Sequence, residues 1–293
     1  MKFKHDELSS SYEYDLQDLA EIKFLTGSRV RSRIIFSLMD GEKSISDIRG
    51  SMMAPDSTIT HSLMELESKR VVERSQDACR LTSKGKLMGA ILSRFIASMD
   101  AVRLHRDLWN EHSIVGIPME FLMRINVFRD AYTVEATLSN LEEPYATYLE
   151  MLDNSTHLRS MLSICLPRHT DAIGSFLESG GAAELILTHE SYPVFIRESA
   201  GMNIKEAMDS GLLRIGILEE KQEISYMFSD TFFSMSLMRE DGHDPAGTRV
   251  IIGHADELLR WGNDLFDYHW GLSAALDSEM LGVNLDEVVP AEE

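Results

Sequence analysis

The chain has 293 residues, of which 44% are hydrophobic and 26% are charged, a composition typical of a globular protein rather than a disordered or collagen-like one. Asp and Glu number 48 against 28 Lys and Arg, so the formal net charge is −20, which excludes a general attraction of the whole molecule to a polyanion. No apolar run approaches the roughly 18 residues of a membrane span, and the first residues lack the apolar core of a signal peptide. We therefore expect a cytoplasmic protein with no membrane partner.

Charge is distributed unevenly along the chain. From Arg29 to Arg94 there are 12 Lys and Arg against 8 Asp and Glu, a net charge of +4, whereas the remaining residues have a net charge of −24. A basic segment on an acidic body suits a nucleic-acid-binding surface, because only the docking face then attracts phosphate. Many solvated surfaces have a similar charge, so the interpretation depends on the order of the predicted elements.

The first part of the chain predicts three helices. Apolar residues at helical spacing indicate a leading helix within residues 12–25 and a second helix within residues 29–41. Ser44, with an acidic residue three positions later, has the spacing of a capping box and predicts a very short helix after it. Pro55 suits the first turn of the helix that follows.

Two short strands come next. The segments VVER and CRL flank the polar turn SQDA, which is the pattern of a β-hairpin. Compact helices followed by a hairpin form the order of a winged helix-turn-helix, whose last helix enters the major groove of DNA. Hydroxyls and an imidazole on that helix reach base edges, and basic side chains at its end and on the hairpin, where the arginines alternate outward, reach phosphates. The predicted DNA-binding residues are Ser57, Thr58, Thr60, His61, Lys69, Arg74 and Arg80.

A long helical pattern extends from Ser83 to about Trp109, with Thr82 or Ser83 as its N-cap. Apolar residues recur every three or four positions along it, which is a heptad-like seam. One interpretation is a dimerising connector, with one side packed within the chain and the other against a second subunit. A helix buried within a single chain is the alternative. The seam residues are Met88, Leu92, Phe95, Met99 and Val102.

Beyond Asn110, helical and strand patterns alternate. Core strands are predicted over residues 158–167 and 182–189 with a helix between them, and four further strands precede a closing helix. This alternation indicates an α/β domain with a mixed sheet. The predicted fold class is therefore α+β overall. The predicted parts are a winged helix-turn-helix domain (1–92), a connector helix (93–110), an α/β regulatory domain (111–276) and an acidic tail (277–293).

Metal sites, cofactors and catalytic residues are not predicted. Cys79 and Cys165 lack CxxC spacing, so we expect two reduced, packed thiols. His243, near Asp241 and Asp244, lies in a turn-rich segment that is more typical of a solvated loop than of a metal site. The sequence contains no HExxH, GxSxG, GxxxxGK[ST] or GxGxxG motif.

The second domain has polar side chains near the ends of apolar elements, where a pocket can orient a polar effector. The alternative is a domain that serves only dimerisation and stability. The predicted effector-binding residues are His189, Arg197, Tyr226 and Tyr268.

Three segments resemble a known family: EHSIVGIPMEFLMRI (111–125), SDTFFSMSLMREDGHDP (229–245) and WGNDLFDYHW (261–270). They resemble the archaeal transcriptional regulators of the methanogenesis regulatory protein family, and the resemblance covers residues 28–275. It implies a homodimeric DNA-binding regulator in which a winged helix precedes a sensor-like domain. The matching residues are His112, Gly116, Ile117, Pro118, Phe121, Asp230, Trp261, Gly262, Leu265, Phe266 and Tyr268.

The sensor domain of that family is similar in outline to those of sugar-responsive archaeal regulators and, remotely, to the phospholipase D fold. Phospholipase D chemistry requires a histidine nucleophile with a lysine two residues later, and no HxK occurs in this sequence, so we expect no enzyme. The predicted function is a homodimeric transcriptional regulator that binds double-stranded DNA and senses a small-molecule effector. The alternative is a protein-interaction or scaffold module that retains a winged helix without reading DNA.

Overall fold

Residues 16–239 and 248–281 are described in the computed structural model of this chain. The start of the predicted leading helix, the turn that contains His243 and most of the predicted acidic tail lie outside these residues. The chain divides into two compact units, with the boundary between Ala97 and Ser98. Each unit has a hydrophobic core of its own, as separate domains do.

In the described part of the first unit four helices come first, α1 (Leu16–Thr26), α2 (Arg29–Met39), α3 (Ile45–Gly50) and α4 (Asp56–Ser68). The Ser28 hydroxyl caps α2 by accepting from the Arg31 amide at 3.3 Å. Ser44 caps α3 by accepting from the Asp47 amide at 3.0 Å, as the spacing predicts. Pro55 lies one residue earlier than predicted, because its ψ of 142° is extended and makes it the N-cap of α4.

A three-stranded antiparallel sheet completes the first unit. Its strands are β1 (Lys43–Ser44), β2 (Val72–Ser75) and β3 (Ala78–Leu81), in the order β1-β3-β2. Helices and hairpin together form the winged helix-turn-helix that the sequence predicts. The buried thiol of Cys79 lies in this core, and burial raises its pKa to about 11. Cys165, in the second unit, is also free and buried, so both thiols are packed as predicted.

Helix α5 (Ser83–Leu104) follows the hairpin closely. Its first turn is capped by the Thr82 hydroxyl, which accepts from the Gly85 amide at 3.0 Å. A Cβ atom at Gly85 would lie 2.0 Å from the carbonyl oxygen of Val71. Because no side chain fits in that space, glycine is required for the close approach of α5 to the hairpin.

The single helix predicted from Ser83 to about Trp109 is two helices in the structure. Helix α5 ends at Leu104, and α6 (Arg106–Glu111) begins after His105. The His105 ring is buried, with Nε2 2.9 Å from the Phe128 carbonyl oxygen and Nδ1 3.3 Å from the Thr133 hydroxyl. These tertiary hydrogen bonds interrupt the helix at His105, although the spacing of the apolar residues is compatible with one continuous helix.

The second unit contains an eight-stranded mixed sheet in the order β11-β7-β6-β5-β8-β9-β10-β4. Neighbours β5-β6 and β6-β7 are parallel, and the other pairs are antiparallel, so the predicted mixed sheet is confirmed. The edge strands β4 and β11 are absent from the sequence prediction. The strands are β4 (Tyr132–Glu135), β5 (His157–Leu162), β6 (Ala182–Thr188), β7 (Leu213–Leu218), β8 (Ile224–Ser229), β9 (Phe233–Leu237), β10 (Arg249–Gly253) and β11 (Ala274–Ala275).

Helices cover both faces of this sheet and form two separate cores. One core includes residues of α8 (Glu143–Leu152), α9 (Pro167–Glu178), α10 (Tyr192–Glu198) and α11 (Ile204–Asp209), and the other includes residues of α7 (Met119–Leu122) and α12 (Asp256–Leu272). On β8, Tyr226 belongs to the α12 core and Met227 to the α8–α11 core, as strand alternation requires. None of the described helices combines the length and the apolar character that a membrane span requires.

Candidate functional site

The N-terminal half of α4 presents polar side chains to solvent. Ser57, Thr58 and His61 are exposed, and Thr60 is half-buried. Positions three and four residues apart are neighbours on a helix surface, so Ser57 lies beside Thr60 and His61, and Thr58 lies beside His61. The opposite side of α4 enters the core through Ile59, Ser62, Leu63 and Leu66.

Arg49 also lies at this surface, although the sequence prediction omits it. It occupies the last turn of α3, is exposed, and places Nη2 3.4 Å from the Thr60 hydroxyl oxygen. Its guanidinium therefore adds a positive charge beside the N-terminal half of α4. The sequence signal that could have identified Arg49 is a basic residue at the end of the helix that precedes the helix predicted to enter the major groove, where it can reach a phosphate.

The two predicted DNA-binding arginines of the β2–β3 hairpin, Arg74 and Arg80, do not both point outward as predicted. Arg74 pairs in register with the buried Cys79, so the two share the core-facing side of the hairpin. Its guanidinium is bound to Glu67 at the C-terminal end of α4. Arg80 lies on the opposite side, exposed, and binds its cross-strand neighbour Glu73 at 2.5 Å. The hairpin register places the two arginines on different faces because directly opposed residues share a face.

The C-terminal half of α4 is acidic rather than basic. Glu65 accepts from Arg31 at 2.6 Å and lies 3.4 Å from Nδ1 of His61. Glu67 is paired with Arg74, and Lys69 is exposed at the C-cap. Arg49 and Lys69, which form no ion pair with the described carboxylates, thus place positive charge at the two ends of the exposed surface.

The four predicted effector-binding residues are not brought together. Arg197, on α10, is exposed and binds Glu198 at 2.8 Å, whereas Tyr268 lies on α12 at the opposite face of the sheet. His189 is exposed just after β6. The hydroxyl of Tyr226 is buried and forms a hydrogen bond of 2.9 Å with Nδ1 of His269.

The Tyr226–His269 pair has a structural role. Burial lowers the pKa of His269 to about 4 and raises the pKa of Tyr226, so both side chains are uncharged at neutral pH. His269 lies close to the backbone of Gly116, and the Trp261 indole donates to the Phe121 carbonyl oxygen at 3.1 Å. The segments 111–125 and 261–270, which carry the family resemblance, therefore pack against each other in one core.

A cavity of about 70 Å³ opens on the other face of the sheet, beside α8 and the start of α9. It is partly enclosed, and Tyr226 is the one predicted effector residue that lines it. The ring of Tyr226 points to the α12 core, so its main chain faces the cavity. The lining residues are Pro144, Tyr145, Tyr148, Leu162, Ile164, Arg168, His169, Ser225, Tyr226, Met227, Ser234, Ser236 and Val250.

Two polar atoms at this cavity have no hydrogen-bond partner within residues 16–239 and 248–281, the hydroxyl oxygen of Tyr148 and Nδ1 of His169. Tyr148 is only 7% exposed, and burial raises the pKa of its hydroxyl. Burial, with the nearby charge of Arg168, lowers the pKa of His169 to about 4. Both groups are thus neutral, and native proteins rarely leave such buried groups unpaired.

No group of three or more His, Cys, Asp or Glu side chains within residues 16–239 and 248–281 is arranged to hold a metal ion. Two groups of side chains among the described residues are the candidate sites, the α4 surface and the cavity beside α8. The first matches a nucleic-acid contact surface in residue types, and the second matches a small-molecule pocket, which combines apolar walls with a few polar groups.

Two family models match the chain. The N-terminal domain of the methanogenesis regulatory protein FilR1 matches residues 19–100, and the middle domain of the same protein matches residues 141–271. The curated relative of that name from Methanothrix harundinacea (strain 6Ac) is 22% identical over 267 residues, covering 90% of this chain. The chain spans 60% of the length of that relative.

Three solved structures are also similar. TrmBL2, described as an archaeal chromatin protein with a novel mode of DNA binding, is 12% identical, with 85% of this chain and 94% of that chain covered and a TM-score of 0.40. Nuc from Salmonella typhimurium, a phospholipase D family member, is 10% identical, with coverage of 50% and 98% and a TM-score of 0.39. Quinone-bound YodB from B. subtilis is 30% identical, with coverage of 29% and 97% and a TM-score of 0.27.

The family assignment comes from the two domain models. They describe the N-terminal and middle domains of one regulatory protein and match this chain in the same order. Because the matched residues together make up most of its length, this chain belongs to the methanogenesis regulatory protein family.

Proposed function

We propose that this protein is a transcriptional regulator that binds double-stranded DNA as a homodimer and responds to a small-molecule effector. The observation that carries the proposal is the exposed polar surface on the N-terminal half of α4, flanked by Arg49 and placed before a β-hairpin. A recognition helix contacts bases with its N-terminal residues, and this is the half of α4 that is free of carboxylates beyond its first residue, Asp56.

The contacts divide by chemistry. Hydroxyl groups of Ser57 and Thr58 and the imidazole of His61 suit base edges, since each can donate or accept a hydrogen bond. Arg49 and Lys69 suit phosphates, because an arginine or lysine contact to the backbone positions the protein without reading sequence. Arg80 contributes to phosphate binding only after exchanging its partner Glu73.

The homodimer is supported by an exposed apolar stripe on α5. Met88 and Leu92, part of the predicted seam, are buried, because Met88 packs in the core of the first unit. The exposed apolar side of α5 is therefore shifted around the helix relative to the predicted seam. Large exposed apolar surfaces mark association sites. A second copy of this chain is the occupant we propose. The stripe consists of Leu87, Ile91, Phe95, Met99 and Val102.

One observation supports the alternative function, a protein-interaction module. Both wing arginines are already paired with carboxylates, which reduces the positive charge available to DNA. The pairing of both arginines therefore favours a protein-interaction module that retains the winged helix without reading DNA.

Salt dependence separates the two functions. We expect binding of the protein to DNA from its own promoter region to weaken about a hundredfold between ~50 and ~200 mM salt, the change for roughly four phosphate contacts. Fluorescence anisotropy with the promoter fragment and with random DNA measures it. A protein that binds neither DNA at low salt, with or without cell extract as a source of effector, would be the interaction module instead.

Single substitutions test which side chains contact bases and which contact phosphates. Thr58→Ala is expected to weaken promoter binding about tenfold and random DNA little, as for a lost base contact. Arg49→Gln is expected to weaken both by a similar factor, as for a lost phosphate contact. Arg106→Gln, an exposed arginine in the second unit, is the charge-matched control and should change neither. Equal losses for Thr58→Ala on both DNAs would contradict the assignment of α4.

A further inference from the structure

The cavity beside α8 has the charge of an anion site. Among the described residues that line it, Arg168 is the charged side chain and none is a carboxylate. The Arg168 guanidinium lies over the ring of Tyr145, with Cζ 5.0 Å from the ring centroid, and Nη1 donates to Glu142 at 3.1 Å. One ion pair uses part of a guanidinium that has five N–H donors, so Arg168 can bind a second acceptor.

The start of α9 adds to this field. Arg168 and His169 lie in the first turn of the 12-residue helix α9; that turn contains no acidic residue, and Asp171 follows in the next turn. The N-cap residue Leu166 offers no side-chain hydrogen bond. Because the N-terminal end of a helix carries partial positive charge, both the side chain of Arg168 and the backbone of α9 favour a negative group at this end of the cavity.

The inner polar groups lack a hydrogen-bond partner among the described residues, and one of them, the Tyr148 hydroxyl, is a donor. The Tyr148 hydroxyl is buried and unpaired, and an acceptor brought to it would relieve the cost of a buried polar group without a hydrogen bond. Nδ1 of His169 is also unpaired, and the rings of Tyr148 and His169 pack edge to face with centroids 5.8 Å apart. The two groups therefore form one polar end of the cavity rather than two isolated defects.

The remaining wall is apolar and short. Leu162, Ile164, Met227 and Val250 line it, and a volume of about 70 Å³ restricts the buried part of a ligand to a few heavy atoms.

We propose that the cavity beside α8 is the effector site and that its ligand is a small carboxylate with a short apolar chain. The carboxylate accepts from the Arg168 guanidinium and the Tyr148 hydroxyl, and the chain lies against Leu162 and Val250. Binding of the ligand in this cavity does not depend on the proposed function. Its expected consequence, the control of DNA binding, rests on that function.

Butyrate and butyramide form the matched pair of probes, because they have nearly the same shape and differ in charge. Calorimetric titration of the full chain is expected to show one saturable butyrate site per chain and butyramide binding at least about tenfold weaker, since charged acceptors make the stronger hydrogen bonds. Arg168→Gln is expected to reduce butyrate affinity about tenfold, to the level of butyramide. Tyr148→Phe keeps the ring, removes the hydroxyl and is expected to weaken both probes by about threefold to tenfold.

Arg129→Gln, an exposed arginine outside the cavity, is the matched control and should bind both probes as the unsubstituted protein does. Thermal unfolding of each variant shows whether it is folded; should Arg168→Gln not fold, Arg168→Lys retains the charge but loses the planar donor pair and is expected to lose part of the preference. Equal affinity for the two probes, no saturable butyrate binding, or butyrate binding unaffected by Arg168→Gln would each overturn the proposal.

DNA binding is measured on the same preparations. Butyrate binding without any DNA binding would leave this site in place and remove the proposed function. DNA binding with no butyrate binding would remove this site alone.

Discussion

The α4 surface and the cavity beside α8 differ in how they are assembled. Ser57, Thr58 and His61 lie within five consecutive residues of one helix, so helical spacing alone places them together. The cavity draws its lining from α8, the end of β5, the start of α9 and three neighbouring strands. A surface made by one helix can be predicted from sequence, whereas a pocket made by six segments depends on how those segments pack.

The two units also differ in their buried titratable groups. His61, the described imidazole of the first unit, is exposed. In the second unit burial lowers the pKa values of His105, His169 and His269, the last two to about 4. Among the described residues, the imidazoles that have to stay neutral in the folded protein therefore lie in the second unit.

Acidification should produce the largest effect that separates the units. An unfolded histidine takes up a proton near pH 6.5, whereas folded His269 does so only near pH 4. The stabilisation is thus complete above about pH 6.5 and is lost as the pH falls towards 4. For His169 and for His269, the free energy of unfolding is expected to fall by about 3 kcal/mol each over this range.

Tryptophan fluorescence during urea unfolding reports this change, because Trp109, Trp261 and Trp270 are the three tryptophans of the chain and all lie in the second unit. His269→Gln should flatten the dependence on pH, while His61→Gln should leave it unchanged. A free energy of unfolding that is the same at pH 6.5 and at pH 4.5 would contradict the neutral, buried state of these rings.

Gly85→Ala tests the stability of the first unit, again as a change in the free energy of unfolding. Its Cβ would meet the Val71 carbonyl oxygen at 2.0 Å, and overpacking of this kind costs about 1–3 kcal/mol. Hydrogen exchange of amides in the hairpin measures the loss. Gly50→Ala, where nothing lies within 4 Å of the added atom, is the control, and equal effects of the two substitutions would show that α5 does not need the close approach.

Leu87→Ala tests the proposed dimer and has the smallest expected effect. Leu87 is 68% exposed on the α5 stripe, and removal of an apolar contact within an interface is expected to raise the dimer dissociation constant about tenfold. Leu272→Ala, at a leucine that is 61% exposed on α12, is the matched control. Sedimentation equilibrium measures both, and a chain that is monomeric at every concentration would rule out the dimer.

Local patterns predicted much of the first unit correctly. The Ser44 cap, the extent of α2 and the presence of the hairpin follow from side-chain chemistry within a few residues, although the turn is two residues long rather than the four predicted. The same reasoning placed Arg74 outward, and it was wrong because the register pairs Arg74 with Cys79 and leaves Glu67 within reach. In the second unit the core strands were found from their apolar runs, but β4 and β11 were not. Edge strands of four and two residues acquire their identity from the strand they pair with, and no apolar run marks them.

By itself, the sequence determined the order of the elements, the mixed α/β character of the second unit, the family resemblance and the polar half of α4. These depend on periodicity, capping and turn chemistry, which act over a few residues. The tertiary structure alone decided the break at His105, the exposed side of α5 and the meeting of Tyr148, Arg168 and His169 around one cavity. The reason is physical, since burial and an unpaired hydrogen-bonding group are properties of distant segments packed together and have no counterpart in local spacing.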